Sequence, residues 1–98
     1  MKMVFLSYNI AEDEEMMEIL EQLGIRSYTK WKEVLDRSET GHPRLGTHVW
    51  PGVNSALATA IDDDKAEVLF REIEAFNAGR KYEDEKVKAF VWEVMAAL

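Results

Sequence analysis

Two histidines and a carboxylate lie close together in the middle of the chain, and these groups are ordinary ligands of zinc, copper and nickel. His42 and His48 are six residues apart, and Glu39 precedes them. Two histidines are too few for a closed site, although several copies of the chain together would supply more. Two polar residues in a loop explain the same pattern, and no His-x-x-x-His spacing supports a metal. A divalent-metal site at His42, His48 and Glu39 is therefore an alternative hypothesis.

The sequence patterns of covalent and cofactor-dependent catalysis are missing from the chain. Cysteine is absent, which excludes a thiol nucleophile and a disulfide. The serines lack a nucleophile setting such as Gly-x-Ser-x-Gly, and neither a Walker loop nor a dinucleotide fingerprint is present. We therefore expect a binding protein and not an enzyme.

Composition favours one small globular domain over residues 1–98, with 47% hydrophobic and 32% charged residues. No apolar run reaches the roughly 18 residues that span a bilayer, so no membrane span is expected. A secretory leader is not apparent at Met1, and the absence of cysteine fits a cytoplasmic protein. The net charge of −7 argues against a nucleic-acid partner.

Charge is unevenly distributed along the chain. Residues 12–21 hold six acids and no base, whereas residues 22–61 hold five bases and three acids. The acidic run matches the positive end of a helix dipole, which explains it without a metal. The basic middle could attract an anion, but bases and acids alternating on the exposed side of strands would explain it equally well.

Hydrophobic periodicity predicts the elements that must position these residues. In chain order they are a strand at 3–6, a helix at 11–23, a strand at 27–37, a strand at 47–61 with a kink at 51–52, a helix from Asp64 to 77–79, and a strand at 87–94. Asn9 and Asp64 are the predicted helix caps. This order predicts an α+β, ferredoxin-like βαββαβ fold, in which a four-stranded antiparallel sheet carries two helices on one face.

Both faces of the predicted sheet are apolar, although two helices cover one face only. In the last strand, Phe90 and Trp92 alternate with Ala89 and Val91, and the third strand has small alanines on one side. An exposed apolar patch of that size is unusual for a monomer, so we expect the second face to pack against copies of itself. An error of one residue in the strand register would scramble these faces. A monomer would leave this face free, and the protein could then be a small ferredoxin-like enzyme with its active site there, which is a less favoured hypothesis.

Several short segments together resemble the PII family of nitrogen signal-transduction proteins. The run Leu20 to Ile25, followed by Thr29 and Glu33-Val34, is similar to the end of the family's first helix and its second strand. Gly41-His42 lies where the family has a Gly-His near the start of its T-loop. The stretch from Gly79-Arg80-Lys81 through Lys86 to Phe90-Val91 is similar to the B-loop and the strand after it. CutA-like trimers share the fold and are a related alternative.

The resemblance implies a homotrimer that binds a small ligand in clefts between subunits and signals to a protein target. It places phosphate-binding residues at Gly79, Arg80, Lys81 and Lys86, with Gly41 and His42 at the base of the loop. Glycine permits close backbone approach, and cations offset phosphate charge. The chain departs from the family at Tyr82-Glu83-Asp84-Glu85, where extra acids repel a triphosphate. The expected ligand is therefore a nucleotide or another anion, sensed by the loop at 38–47, and the metal-binding CutA-like protein is the alternative.

Overall fold

The computed structural model describes residues 1–37, 39, 43–46 and 52–98. Within these residues, four strands and two α-helices follow in the predicted order: β1 (Lys2–Asn9), α1 (Asp13–Gln22), β2 (Thr29–Val34), β3 (Asn54–Ile61), α2 (Asp63–Ala78) and β4 (Lys88–Glu93). Short 3-10 turns lie at Ile10–Glu12 and Glu83–Glu85. No helix in the described part of the chain is both long and apolar enough to cross a membrane.

The sheet has the strand order β2-β3-β1-β4, and every neighbouring pair is antiparallel. Alternate residues of β1, among them Val4 and Leu6, are buried. They pack in one hydrophobic cluster with Leu20 of α1 and Leu69 of α2. The helices therefore cover one face of the sheet. The predicted ferredoxin-like α+β fold is confirmed.

Helix α1 begins two residues later than predicted. Asn9 does act as a cap, since its side chain accepts a hydrogen bond of 3.0 Å from the backbone N–H of Ala11, but it caps the 3-10 turn that precedes the helix. Gly24 ends α1 as predicted. Its φ of +72° suits glycine, and the N–H of Ile25 bonds back to the carbonyl of Leu20 at 2.9 Å.

Helix α2 begins at Asp63, and the prediction that Asp64 caps it is wrong. Asp62 is the cap, with its carboxylate accepting a hydrogen bond of 3.1 Å from the N–H of Lys65. Any of three consecutive aspartates could cap a helix. Asp62 is the cap because β3 stays paired up to Ile61, opposite Lys2, and the helix begins directly after it.

The hairpin between β2 and β3 differs from the prediction. Strand β2 ends at Val34, after a register shift that interrupts its pairing with β3. An isolated pair of backbone hydrogen bonds, 2.8 and 2.7 Å long, then joins Asp36 to Arg44. Strand β3 begins at Asn54, and the predicted strand residues 47–51, including the kink at Pro51, lie outside the described residues.

The second face of the sheet is apolar, as the sequence predicted. Phe5 lies opposite Ala58 on one side and Phe90 on the other, with the two phenyl rings 6.5 Å apart. The apolar side chains of the described residues on this face, here called the open face, are Met3, Phe5, Trp31, Ala56, Ala58, Ala60, Phe90 and Trp92. Within the chain, Trp31, Phe90 and Trp92 remain 47%, 58% and 50% exposed.

Candidate functional site

The two loop segments that the sequence singled out meet at the same end of the sheet. Asn54, at the start of β3, pairs with Asn9 at the end of β1 and with Val34 at the end of β2. Lys88, at the start of β4, pairs with Ser7 of β1. The β2–β3 hairpin and the segment 79–87 therefore both emerge here, and we call this region the loop end.

Segment 79–87 is closed at its base by the side chain of Asn77. Its amide nitrogen donates to the carbonyl of Val87 at 2.9 Å, and its amide oxygen accepts from the N–H of the same residue at 2.8 Å. One side chain thus makes the two hydrogen bonds that a neighbouring strand would make. The sequence indicated only that Asn77 lies near the end of a helix, so this role was missed.

Three of the predicted ligand residues, Gly79, Lys81 and Lys86, lie on segment 79–87 but do not together line a pocket in the described structure. Gly79 ends α2 with an ordinary φ of −83°, and an added Cβ would lie 3.6 Å from the nearest atom, so the backbone does not require glycine there. Lys81 is exposed, with its ammonium 5.4 Å from the ring centre of Tyr82. The ammonium of Lys86 lies 3.3 Å from the carboxylate of Glu83.

Arg80, the fourth predicted ligand residue, is held on two sides. One guanidinium nitrogen lies 3.0 Å from a carboxylate oxygen of Glu12 and 3.4 Å from one of Glu15. The guanidinium carbon lies 4.1 Å from the ring centre of Phe76, a cation–π distance. Burial raises the pKa of Glu12, Arg80 lowers it, and Glu15 raises it again, with a net rise. Sequence reasoning found the arginine but not its partners.

Arg44 is a candidate residue that sequence reasoning did not select. Its guanidinium donates to the backbone carbonyl of Asp84 and, at 3.3 Å, to the side-chain oxygen of Asn54. Asn54 is 2% exposed and donates in turn to Ser7 at 3.1 Å. A Cβ added at Gly52 would lie 3.0 Å from the Arg44 side chain, so glycine leaves room for the arginine there. Arg44 therefore ties the hairpin both to the sheet and to segment 79–87.

A second tie joins the hairpin to β4. The ammonium of Lys88 lies 2.9 and 3.2 Å from the two carboxylate oxygens of Asp36. This pair borders a concavity of about 430 Å³ on the open face, between Trp31 and Phe90. The loop end thus holds several cations that can donate to an anion, together with carboxylates that already engage some of them.

The remaining predicted residues are Gly41 and His42, expected at the base of the ligand-binding loop, and the residues of the metal hypothesis, His42, His48 and Glu39. Gly41, His42 and His48 lie outside the described residues, and Glu39 is exposed. Within residues 1–37, 39, 43–46 and 52–98, the structure forms no group of three or more metal-ligating side chains.

Solved structures share this fold. A protein from Thermus thermophilus assigned as PII-like signalling is 21% identical over 93% of this chain and 83% of that one, with a TM-score of 0.65. CPII, a nitrogen regulatory PII-like protein from Thiomonas intermedia K12 bound to ADP, AMP and bicarbonate, is 13% identical over 99% and 92%, with a TM-score of 0.75. Its complex with ADP and bicarbonate is 15% identical over 93% and 82%, with a TM-score of 0.73.

At the level of sequence, no family model matches the chain, and no curated protein does so either. The structural likeness confirms the resemblance inferred from the sequence at the level of the fold. The chain has the fold of the PII-like signalling proteins.

Proposed function

We propose that this protein is a PII-like regulator whose loop end binds a small anionic ligand, with an adenine nucleotide as the first candidate. The observation that carries the proposal is the joining of the hairpin to segment 79–87 through Arg44, and to the adjacent start of β4 through the pair of Lys88 with Asp36. Cations from both segments are thereby brought to one place. CPII, which shares the fold, binds ADP and AMP, and this supports a nucleotide.

The ligand would be sensed through the same ties. A phosphate that draws Lys88 or Arg44 toward itself weakens their contacts with Asp36, Asp84 or Asn54, since each cation has a limited set of donors. The position of the hairpin then depends on whether the ligand is bound. We infer that the hairpin, including residues 38–47, reports ligand binding to a protein target in the cytoplasm, and that the protein is not an enzyme.

We further propose that the protein is a homotrimer. The open face carries three exposed aromatic side chains, Trp31, Phe90 and Trp92, beside the small Ala56, Ala58 and Ala60. Small residues allow two sheets to approach closely, and exposed aromatic side chains gain most from burial. The resemblance supports a trimer and a position of the loop end at the cleft between subunits.

Native mass spectrometry of the purified protein tests this proposal. We expect a trimer that gains the mass of ADP or AMP when either is added. The double variant K81Q/K86Q should lose most of that binding, while K65Q should keep it, because Lys65 lies near Gly24 at the other end of the sheet. A monomer would contradict the assembly. A trimer that binds neither nucleotide would contradict the ligand, and increments of metal mass would favour His42, His48 and Glu39 instead.

A further inference from the structure

Arg80, the arginine expected to bind phosphate, is already engaged by two carboxylates from the start of α1. The distances of 3.0 Å to Glu12 and 3.4 Å to Glu15 allow charge-assisted hydrogen bonds. The side chains of Arg80 and Glu12 are 27% and 15% exposed, so water screens this contact only in part. An incoming anion therefore has to compete for the same guanidinium donors.

Local structure holds these groups in place. Glu12 and Glu15 are three residues apart, one at the end of the 3-10 turn and one in the first turn of α1, so they face the same side. The ring of Phe76 supports the guanidinium at 4.1 Å. The backbone N–H of Arg80 bonds to the carbonyl of Asn77 at 3.0 Å, which anchors the residue at the end of α2.

The charge of this cluster disfavours an anion. Two carboxylates face one guanidinium, and Glu85 from the 83–85 turn is close enough to raise the pKa of Glu12 further. Burial is the largest cause of that rise, and Arg80 offsets it only in part. The cluster therefore holds more negative charge than Arg80 neutralises, and an approaching anion is repelled until a carboxylate withdraws or takes up a proton.

We propose that Glu12 and Glu15 are an autoinhibitory carboxylate pair, which occupies Arg80 in the free protein and must release it before a compact dianion such as a terminal phosphate can bind. The inference rests on the proposed anion site at the loop end and adds its regulation. Binding of the anion releases Glu12 and Glu15 from the arginine, so that occupancy of the site changes the contacts at the start of α1. The pair lowers the affinity for the anion and sets a threshold concentration for binding.

Sulfate is a suitable probe, because it stays a dianion across the useful pH range and lacks a base or sugar. Its dissociation constant would be measured by NMR titration at neutral pH for wild type, E12Q/E15Q and E14Q/E18Q. The control removes two charges from the same helix without touching the partners of Arg80. We expect E12Q/E15Q to bind sulfate about tenfold more tightly than the control. Adding R80Q should remove the gain.

Equal affinities for E12Q/E15Q and E14Q/E18Q would overturn the proposal, since net charge alone would then explain any gain. Absence of sulfate binding in every variant would also overturn it. Tight ADP binding by wild type that E12Q/E15Q leaves unchanged would reject autoinhibition but keep the proposed function. A gain in sulfate affinity without any nucleotide binding would support autoinhibition and reject the adenine nucleotide as the ligand. Thermal melting shows that each variant is folded, and the NMR pKa of Glu12 should rise further in R80Q.

Discussion

The hydroxyl of Tyr8 donates a hydrogen bond of 2.6 Å to the carboxylate of Asp13, which joins β1 to the first residue of α1. The other carboxylate oxygen accepts a hydrogen bond of 2.7 Å from the ammonium of Lys30 on β2. Tyr8 is 1% exposed, so its hydroxyl depends on this partner. Burial, together with the bond to Asp13, raises the pKa of Tyr8 far above its ordinary range. One carboxylate therefore holds two strands and a helix together.

The substitution Asp13→Asn should lower the free energy of unfolding by about 1–3 kcal/mol. The neutral amide is a weaker acceptor for the buried Tyr8 hydroxyl, and it leaves the charge of Lys30 unpaired. Urea denaturation measures the change. The control is Asp64→Asn, an exposed acid in the first turn of α2, which should shift stability by less than about 0.5 kcal/mol. Similar losses in the two variants would show that the helix dipole, and not the contacts with Tyr8 and Lys30, accounts for the effect at Asp13.

Stability should fall in acid partly through Asp13. Burial opposes its ionisation, but the hydrogen bonds from Lys30 and Tyr8 outweigh burial and lower its pKa. A carboxyl whose pKa is lower in the folded state stabilises the fold above its unfolded pKa of about 3.9, and the contribution disappears as the pH falls through the folded value. Urea denaturation between about pH 2 and 6 should therefore show a shallower acid limb for Asp13→Asn than for wild type. Parallel curves would contradict this assignment.

Two glycines should respond differently to replacement by alanine. Gly24→Ala should cost about 1–2 kcal/mol, because a φ of +72° is strained for a residue with a side chain. Gly79→Ala should leave stability unchanged or improve it slightly, because φ is −83° and an added Cβ would make only an ordinary contact of 3.6 Å. If Gly79→Ala nevertheless weakens ADP binding, glycine at this position serves close approach of the ligand. Unchanged affinity would remove Gly79 from the proposed site.

Substitutions on the open face should dissociate the proposed trimer. Trp92→Lys places a charge in the exposed aromatic part of the expected interface, on the edge strand β4, and burying it unpaired is costly. Size-exclusion chromatography with light scattering should then report a monomer. Phe70→Lys is the matched control, since Phe70 is an exposed aromatic residue on α2, away from the open face. An unchanged mass for Trp92→Lys would show that the subunits meet elsewhere.

The order of elements was predictable because it depends on local patterns. Apolar residues recurring at helical spacing identified α1 and α2, and the turn at Gly24 was recognisable from its chemistry. The apolar character of both sheet faces followed from alternation along the strands, and the register confirmed it for Phe5 and Phe90. The boundaries were less predictable. Three consecutive aspartates are chemically equal as caps, and the length of β3 selected Asp62.

The candidate site shows the same division more sharply. The sequence by itself determined which residue types are available, and resemblance pointed to Arg80 and its segment. The partners could not be predicted, because Arg80 and Glu12 are 68 residues apart, and Lys88 and Asp36 are 52 apart. An acidic chain offers each cation many carboxylates of equal chemistry. Only the strand order and register decide which of them comes within hydrogen-bonding distance, and so only the tertiary structure decided how the loop end is built.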